Sequence, residues 1–84
     1  MAFRRLQIVN IKGLHARASA RLAEVCERHD ARATVSKDGQ SSTGDSIMGL
    51  LMLAASKGSF IQVETRGPEA QALADALTAL LADK

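Results

Sequence analysis

Two hydrophobic periods alternate along this chain of 84 residues, and their order constrains the fold more than any other feature. Apolar and polar residues that alternate predict a strand, whereas apolar residues three and four positions apart predict one face of a helix. Alternation around Leu6 and Ile8 predicts a strand over residues 3–9. The period then changes, and a helix is predicted over residues 16–28. The residues on its predicted inner face are Ala18, Leu22, Val25, Cys26 and His29.

The next segment is predicted to form a hairpin. Residues 32–36 alternate again and predict a second strand. The Asp38-Gly39 pair is a strong hairpin signal, so residues 40–43 are predicted to form a short, polar third strand.

The last three elements follow in the same way. Residues 47–53 predict a short helix and residues 60–66 a fourth strand. A final helix is predicted to start at residues 67–69, with Pro68 in its first turn and Glu69 placed favourably for the helix dipole. Its apolar stripe consists of Leu73, Leu77, Leu80 and Leu81.

The predicted order is therefore βαββαβα. One sheet covered on one face by helices buries these stripes economically, so we expect an α+β fold in a single domain, residues 1–84. The order of the strands within the sheet does not follow from the pattern.

Composition narrows the class of protein. The single Cys26 excludes an internal disulfide and favours a reducing compartment, and no apolar run approaches the roughly 20 residues that a membrane-spanning helix needs. We therefore expect a cytoplasmic protein. Residues 1–42 hold eight Lys/Arg and four Asp/Glu, a net charge of +4, which suits an acidic partner or a phosphate. Nucleic acid is disfavoured because only Phe3 and Phe60 could stack on bases.

The candidate site lies where a loop becomes a helix, at residues 13–19. Amides at a helix N-terminus lack internal partners and favour an anion. His15 stands there, and the neutral ring nitrogen of a histidine can act as a nucleophile. Arg17 carries a planar cation that suits phosphate oxygens. A metal site is not expected, because His15 and His29 lie at opposite ends of one helix with no cysteine or carboxylate cluster beside them.

Three motifs carry a resemblance to a known family. Gly13-Leu14-His15-Ala16-Arg17 resembles the phosphorylation motif of HPr, the histidine phosphocarrier of the bacterial phosphotransferase system. Residues 45–53 and Gly67-Pro68-Glu69 match in the same order, so the resemblance covers nearly the whole chain. It implies an open-faced β-sandwich, a four-stranded antiparallel sheet with three helices on one face. Residues 50–53 and 67–69 resemble the nitrogen-related branch of this family more than its sugar-transport branch.

The resemblance also implies a function. His15 would accept a phosphoryl group that enzyme I draws from phosphoenolpyruvate, and would pass it to a IIA-type protein, with Arg17 assisting at the phosphate. The chain would be a monomeric carrier without a cofactor, rather than an independent enzyme. Many family members have proline after the arginine, where this chain has Ala18, so the rigid φ of proline is lost.

A second predicted site is Ser46, which caps the short helix. The resemblance implies that an HPr kinase/phosphorylase phosphorylates it, and that Ile47, Met48 and Leu51 form a docking surface. A helix this apolar cannot hide every side in so small a domain, so part of it is expected to be exposed. Two alternatives remain open: a purely regulatory binding module that uses the same surface, and a small nucleic-acid-binding domain.

Overall fold

A computed structural model describes residues 1–53 and 55–82, and its seven elements follow the predicted order, which is confirmed. The strands are β1 (Ala2–Gln7), β2 (Arg32–Lys37), β3 (Gln40–Thr43) and β4 (Phe60–Arg66). The helices are α1 (Ala16–Glu27), α2 (Ile47–Met52) and α3 (Ala70–Leu81). None of these helices is long and apolar enough to cross a membrane.

The four strands form one antiparallel sheet in the order β1-β4-β2-β3. The last strand of the chain therefore lies between the first and the second. On the inner face of β4, Ile61, Val63 and Thr65 are fully buried, as the period of a half-buried strand requires. The outer face stays open, and the guanidinium of Arg5 lies 4.1 Å from the centre of the Phe60 ring.

The three helices pack on the inner face and close the core, confirming the predicted architecture. Leu22, Leu50, Leu73 and Leu77 have no exposed surface. Among residues 1–53 and 55–82, two polar side chains are buried with them, and each has a partner. Thr65 Oγ1 donates to the carbonyl of Ala70 at 2.8 Å, and Ser19 Oγ donates to the carbonyl of Leu14 at 3.3 Å. Both interactions satisfy groups that would otherwise be costly to bury.

The hairpin between β2 and β3 is confirmed, and its turn explains the sequence. Asp38 has φ 51° and Gly39 has φ 83°. Two successive residues with positive φ are what a tight hairpin turn of the type that matches strand twist needs.

Besides one-residue shifts at the start of β1 and at the ends of β2, α1 and α2, three predicted boundaries or faces differ from the structure. β1 ends at Gln7, because Ile8 leaves the regular ladder and instead bonds with the loop before β4. The buried face of α1 consists of Ser19, Leu22, Ala23 and Cys26, so it is rotated towards Ser19, while Ala18 and Val25 are only partly buried. The pattern misjudged this face because alanine and serine carry little hydrophobic signal.

The third difference is the start of α3. The helix begins at Ala70, and Pro68 lies in the preceding turn rather than in the helix. Glu69 has non-helical dihedral angles, and its backbone N–H donates to the carbonyl of Asp30 at 3.0 Å. Glu69 is thus the N-cap of α3, and local sequence could not reveal its long-range bond to Asp30.

Candidate functional site

The loop before α1 is tied by hydrogen bonds to the segment that precedes β4. The N–H of Ile8 donates to the carbonyl of Ser59, and the N–H of Gly58 donates to the carbonyl of Ile8, each at 2.8 Å. Further along, the N–H of Leu14 donates to the carbonyl of Ala55 at 2.8 Å. The loop therefore has a defined path and brings His15 to the helix in one orientation.

Gly13 is the residue that permits this path. It has φ 69°, a left-handed conformation that costs other residues free energy. A Cβ atom built there would lie 2.5 Å from the carbonyl oxygen of Ala55 and 2.9 Å from Cα of Ser56. Both are backbone atoms, so no side chain could move aside. Glycine is therefore required by conformation and by space.

His15 is the N-cap of α1. Its backbone is extended, with φ −80° and ψ −175°, and its ring is half-buried. The N–H of Arg17 donates to Nδ1 of the ring at 3.2 Å. Because Nδ1 accepts this bond, it carries a lone pair rather than a proton. The lone pair of a potential nucleophile thus faces the first turn of the helix, where amides favour an anion.

Ser19 stabilises the same junction between loop and helix from its buried side, a role that was not predicted from the sequence. Its side chain is fully buried and bonds to the carbonyl of Leu14, while its N–H donates to the carbonyl of His15 at 2.8 Å. It lies three residues before the buried Leu22, on the same helix face, and that spacing is the signal that could have identified it.

The structure brings His15 and Arg17 together beside one cavity of about 390 Å³. Lys12 and Arg21 line the same cavity, although neither was singled out in the sequence. Arg21 follows Arg17 by one helical turn, and this i,i+4 spacing is the signal that would have placed it there.

Ser46 lies at a separate corner, and its predicted role as a helix cap is confirmed. Ser46 is the N-cap of α2, and its Oγ accepts from the N–H of Gly49 at 3.1 Å. The side chain is half-buried. A Cβ atom on Gly49 would collide with Oγ of Ser42, so this glycine lets α2 lie close against β3.

The predicted docking residues occupy the outside of α2 to different degrees. Met48 is 70% exposed and Ile47 is 41% exposed, whereas Leu51 is half-buried. Met52, which the sequence did not single out, is 75% exposed. Leu50 and Leu53 are in the core. The expectation that part of this helix is exposed is confirmed, and Ile47, Met48 and Met52 form what we call the α2 patch.

Cys26 and His29 have structural surroundings. Cys26 is buried as predicted, and burial, followed by the charges of Asp45 and Glu27, raises the pKa of its thiol to about 11. Nδ1 of His29 lies 2.8 Å from the carbonyl of Val25, at the end of α1. Among the residues that the structure describes, no three His, Cys, Asp or Glu side chains come together as metal ligands.

Comparison with known proteins places this architecture in a family. The family described as "PTS HPr component phosphorylation site" matches residues 3–83. A phosphocarrier protein HPr from Cupriavidus necator is 44% identical over 92% of this chain and 86% of its own. A phosphocarrier protein NPr from Shewanella violacea is 37% identical over 93% and 86%.

A solved structure agrees with this assignment. The crystal structure of a phosphocarrier protein HPr from Bacillus anthracis superposes with a TM-score of 0.91, at 34% identity over 95% of each chain. The fold is thus that of the HPr phosphocarrier proteins. The chain belongs to the HPr family of the phosphotransferase system, whose relatives carry both the HPr and the NPr name.

Proposed function

We propose that this chain accepts a phosphoryl group from enzyme I on His15 and passes it to a IIA-type protein. The observation that carries the proposal is the bond from the N–H of Arg17 to Nδ1 of His15. It holds an unprotonated ring nitrogen at a helix N-terminus, which is a favourable place for an anion. Membership of the HPr family supports the same role.

The proposed step uses only groups present at this corner and the incoming phosphoryl group. The lone pair of Nδ1 forms a bond to phosphorus, and the bond between phosphorus and the donor breaks, its electron pair staying with the donor. The N–H of Arg17 then donates to a phosphoryl oxygen instead of to Nδ1. Transfer to the acceptor is the same exchange in the opposite direction.

Arg17 has a distinct part in this proposal. Arg17 lines the cavity beside His15. A planar cation stabilises phosphoryl oxygens through charge-assisted bonds. The chain would act as a cytoplasmic, monomeric carrier that depends on enzyme I for its phosphoryl group, rather than as an independent enzyme.

We further propose that an HPr kinase/phosphorylase modifies Ser46 and thereby controls docking at the α2 patch. Ser46 directly precedes Ile47 and Met48 and is half-buried. A phosphate there would suit the helix terminus but place nearly two negative charges at the rim of an apolar surface. A partner that covers this patch, with Leu51 at its inner edge, would have to desolvate those charges.

A two-stage transfer assay tests the main proposal. The protein is incubated with phosphoenolpyruvate and a catalytic amount of enzyme I, and a IIA-type protein is then added. Acid-labile phosphate should first appear on this chain, as expected for phosphohistidine, and then move to the IIA-type protein. Acid-stable phosphate, or none, would refute phosphorylation of His15. Label that stays on this chain would instead favour a purely regulatory module.

A further inference from the structure

The cavity beside His15 is larger than a single phosphoryl group requires. Its volume of about 390 Å³ lies within the range of small-molecule binding sites. The loop contributes Lys12, the start of α1 contributes Arg17 and Arg21, and the end of α3 contributes Leu80 and Leu81. Three separate segments thus line an open cavity that is larger than the transferred phosphoryl group.

The charges around this cavity have one sign. Lys12, Arg17 and Arg21 are its only charged lining residues among those the structure describes. The four ion pairs within residues 1–53 and 55–82 all involve other cations. Like charges four residues apart on a helix repel each other, and Lys12 adds a third. An anion in the cavity would relieve this repulsion.

The rest of the lining indicates what kind of anion fits. Leu80 and Leu81 form an apolar wall with Ala18, beside the cationic side. Inorganic phosphate would use only the cations, whereas a phosphate monoester would also place its carbon atoms against this wall. Arginine and lysine together suit a phosphate group, since the guanidinium binds two oxygens and the ammonium supplies a point charge.

We propose that this cavity binds a free phosphate monoester without covalent reaction, with Lys12, Arg17 and Arg21 contacting its phosphate. The bound ester lies beside His15 and competes with the incoming phosphoryl group. The inference that the ester binds here depends only on the cavity and its charges. The competition rests on the function proposed above, so the two parts need separate measurements.

Binding is measured by titrating the isotopically labelled protein with n-butyl phosphate and, separately, with inorganic phosphate at constant ionic strength. Amide shifts should cluster at residues 12–21 and 80–82, and butyl phosphate should bind several times more tightly than inorganic phosphate. Equal affinities would overturn the assignment to an ester. Shifts scattered over every cationic surface would overturn the site itself.

A matched pair of variants isolates the cavity from general charge. Arg21→Ala should weaken butyl phosphate binding at least tenfold, whereas Arg32→Ala, an exposed arginine on β2, should change it less than twofold. Both variants remove one positive charge, so equal losses would show that net charge alone attracts the ester and would refute the site.

Competition is measured in the wild-type protein with enzyme I and phosphoenolpyruvate. Butyl phosphate should raise the KM for this chain as substrate and leave the rate at saturation unchanged. If a saturating amount of butyl phosphate leaves the rate unchanged at a low concentration of this chain, competition is refuted, although the titration still reports binding. Absence of any phosphorylation, with or without the ester, would refute the proposed function and leave the binding result standing.

Discussion

His15 and Ser46 use the same local device in two different surroundings. Each is a helix N-cap, and each accepts a bond from a backbone N–H of the first turn, at 3.2 Å for His15 and 3.1 Å for Ser46. His15 precedes a helix of twelve residues and borders a cavity lined by cations. Ser46 precedes a helix of six residues and borders the apolar α2 patch.

The difference shows that a cap by itself does not define chemistry. Both side chains satisfy an otherwise unpaired amide, which is worth about 1 kcal/mol. Around His15, positive charge adds to the helix terminus and favours a transferable anion. Around Ser46, the same anion would lie against hydrocarbon, so it would change what docks there. We therefore interpret the first cap as a carrier site and the second as a control site.

The sharpest test of this comparison removes each cap in turn. His15→Ala should abolish acid-labile phosphorylation by enzyme I, whereas Ser46→Ala should keep nearly the wild-type rate. Each variant should lose only about 1 kcal/mol of stability, because each loses one cap. Radiolabel incorporation and urea denaturation measure the two effects. Acid-labile label on His15→Ala would place the acceptor elsewhere.

The next largest effect concerns the path of the loop that holds His15. Gly13→Ala should destabilise the fold by about 3 kcal/mol, since it combines backbone strain with a collision against Ala55. Gly39→Ala is the matched control, because Gly39 also has positive φ but no atom within 4 Å of a built Cβ. It should lose about 1 kcal/mol. Equal losses in urea denaturation would show that the contact with Ala55 is unimportant.

Arg17→Ala should slow transfer without removing the acceptor. Loss of one charge-assisted bond costs about 1.5–3 kcal/mol, which corresponds to roughly a 10- to 150-fold lower rate. Arg28→Ala, at the other end of α1, should transfer at nearly the wild-type rate, because Arg28 is paired with Glu24 far from the cavity. Rapid-quench measurements with enzyme I distinguish the two variants, and equal rates would make Arg17 an ordinary surface charge.

A negative charge at Ser46 should have a smaller effect. Ser46→Asp keeps a good N-cap and should remain folded by circular dichroism. Its phosphorylation by enzyme I should slow by about fivefold, or about 1 kcal/mol, because the charge must be desolvated at the rim of the α2 patch.

Ser46→Ala is the control for that experiment, since it removes the hydroxyl without adding charge. Recovery of the Ser46→Asp rate at high salt would identify repulsion as the cause, whereas a persistent defect would identify desolvation. A wild-type rate for Ser46→Asp would restrict Ser46 to capping as far as enzyme I is concerned.

The last effect concerns the buried Cys26 and is the smallest at neutral pH, where it is absent. Burial raises the pKa of the Cys26 thiol from 9.0 to about 11, so the folded protein favours the protonated form. Stability should therefore be unaffected below about pH 9 and fall as the pH rises from 9 towards 11, where the unfolded chain releases the proton first. Cys26→Ala should lack this component, and urea denaturation at pH 8 and pH 10.5 measures the difference. Identical pH profiles would contradict the raised pKa.

Local patterns predicted the elements because their causes are local. The Asp38-Gly39 turn and the Ser46 cap each depend on residues a few positions apart, and both are confirmed. The placing of Pro68 in the first turn of α3 was wrong: the helix begins at Ala70, and its N-cap Glu69 bonds with Asp30, which is 39 residues away in the chain.

The candidate site likewise has one part that the local sequence predicts and one part that depends on distant segments. His15 and Arg17 belong to one helix start and could be named from the sequence. The cavity also needs Lys12 from a loop and Leu80 from the far end of the chain, and these meet only after the sheet has fixed its strand order. Ser19 was missed because its importance lies in a buried bond to Leu14 rather than in its own reactivity.

The position of β4 has a consequence for how the protein is made. Strand β1 pairs with β4, and the loop after it bonds to Ala55, Gly58 and Ser59, so these contacts cannot hold the histidine loop until the nascent chain includes β4. Pairings between such distant segments form late and slowly. Synthesis must therefore have passed β4 before the loop can adopt its working form. A chain interrupted before β4 would contain the whole His15 motif and still lack the support that orients it.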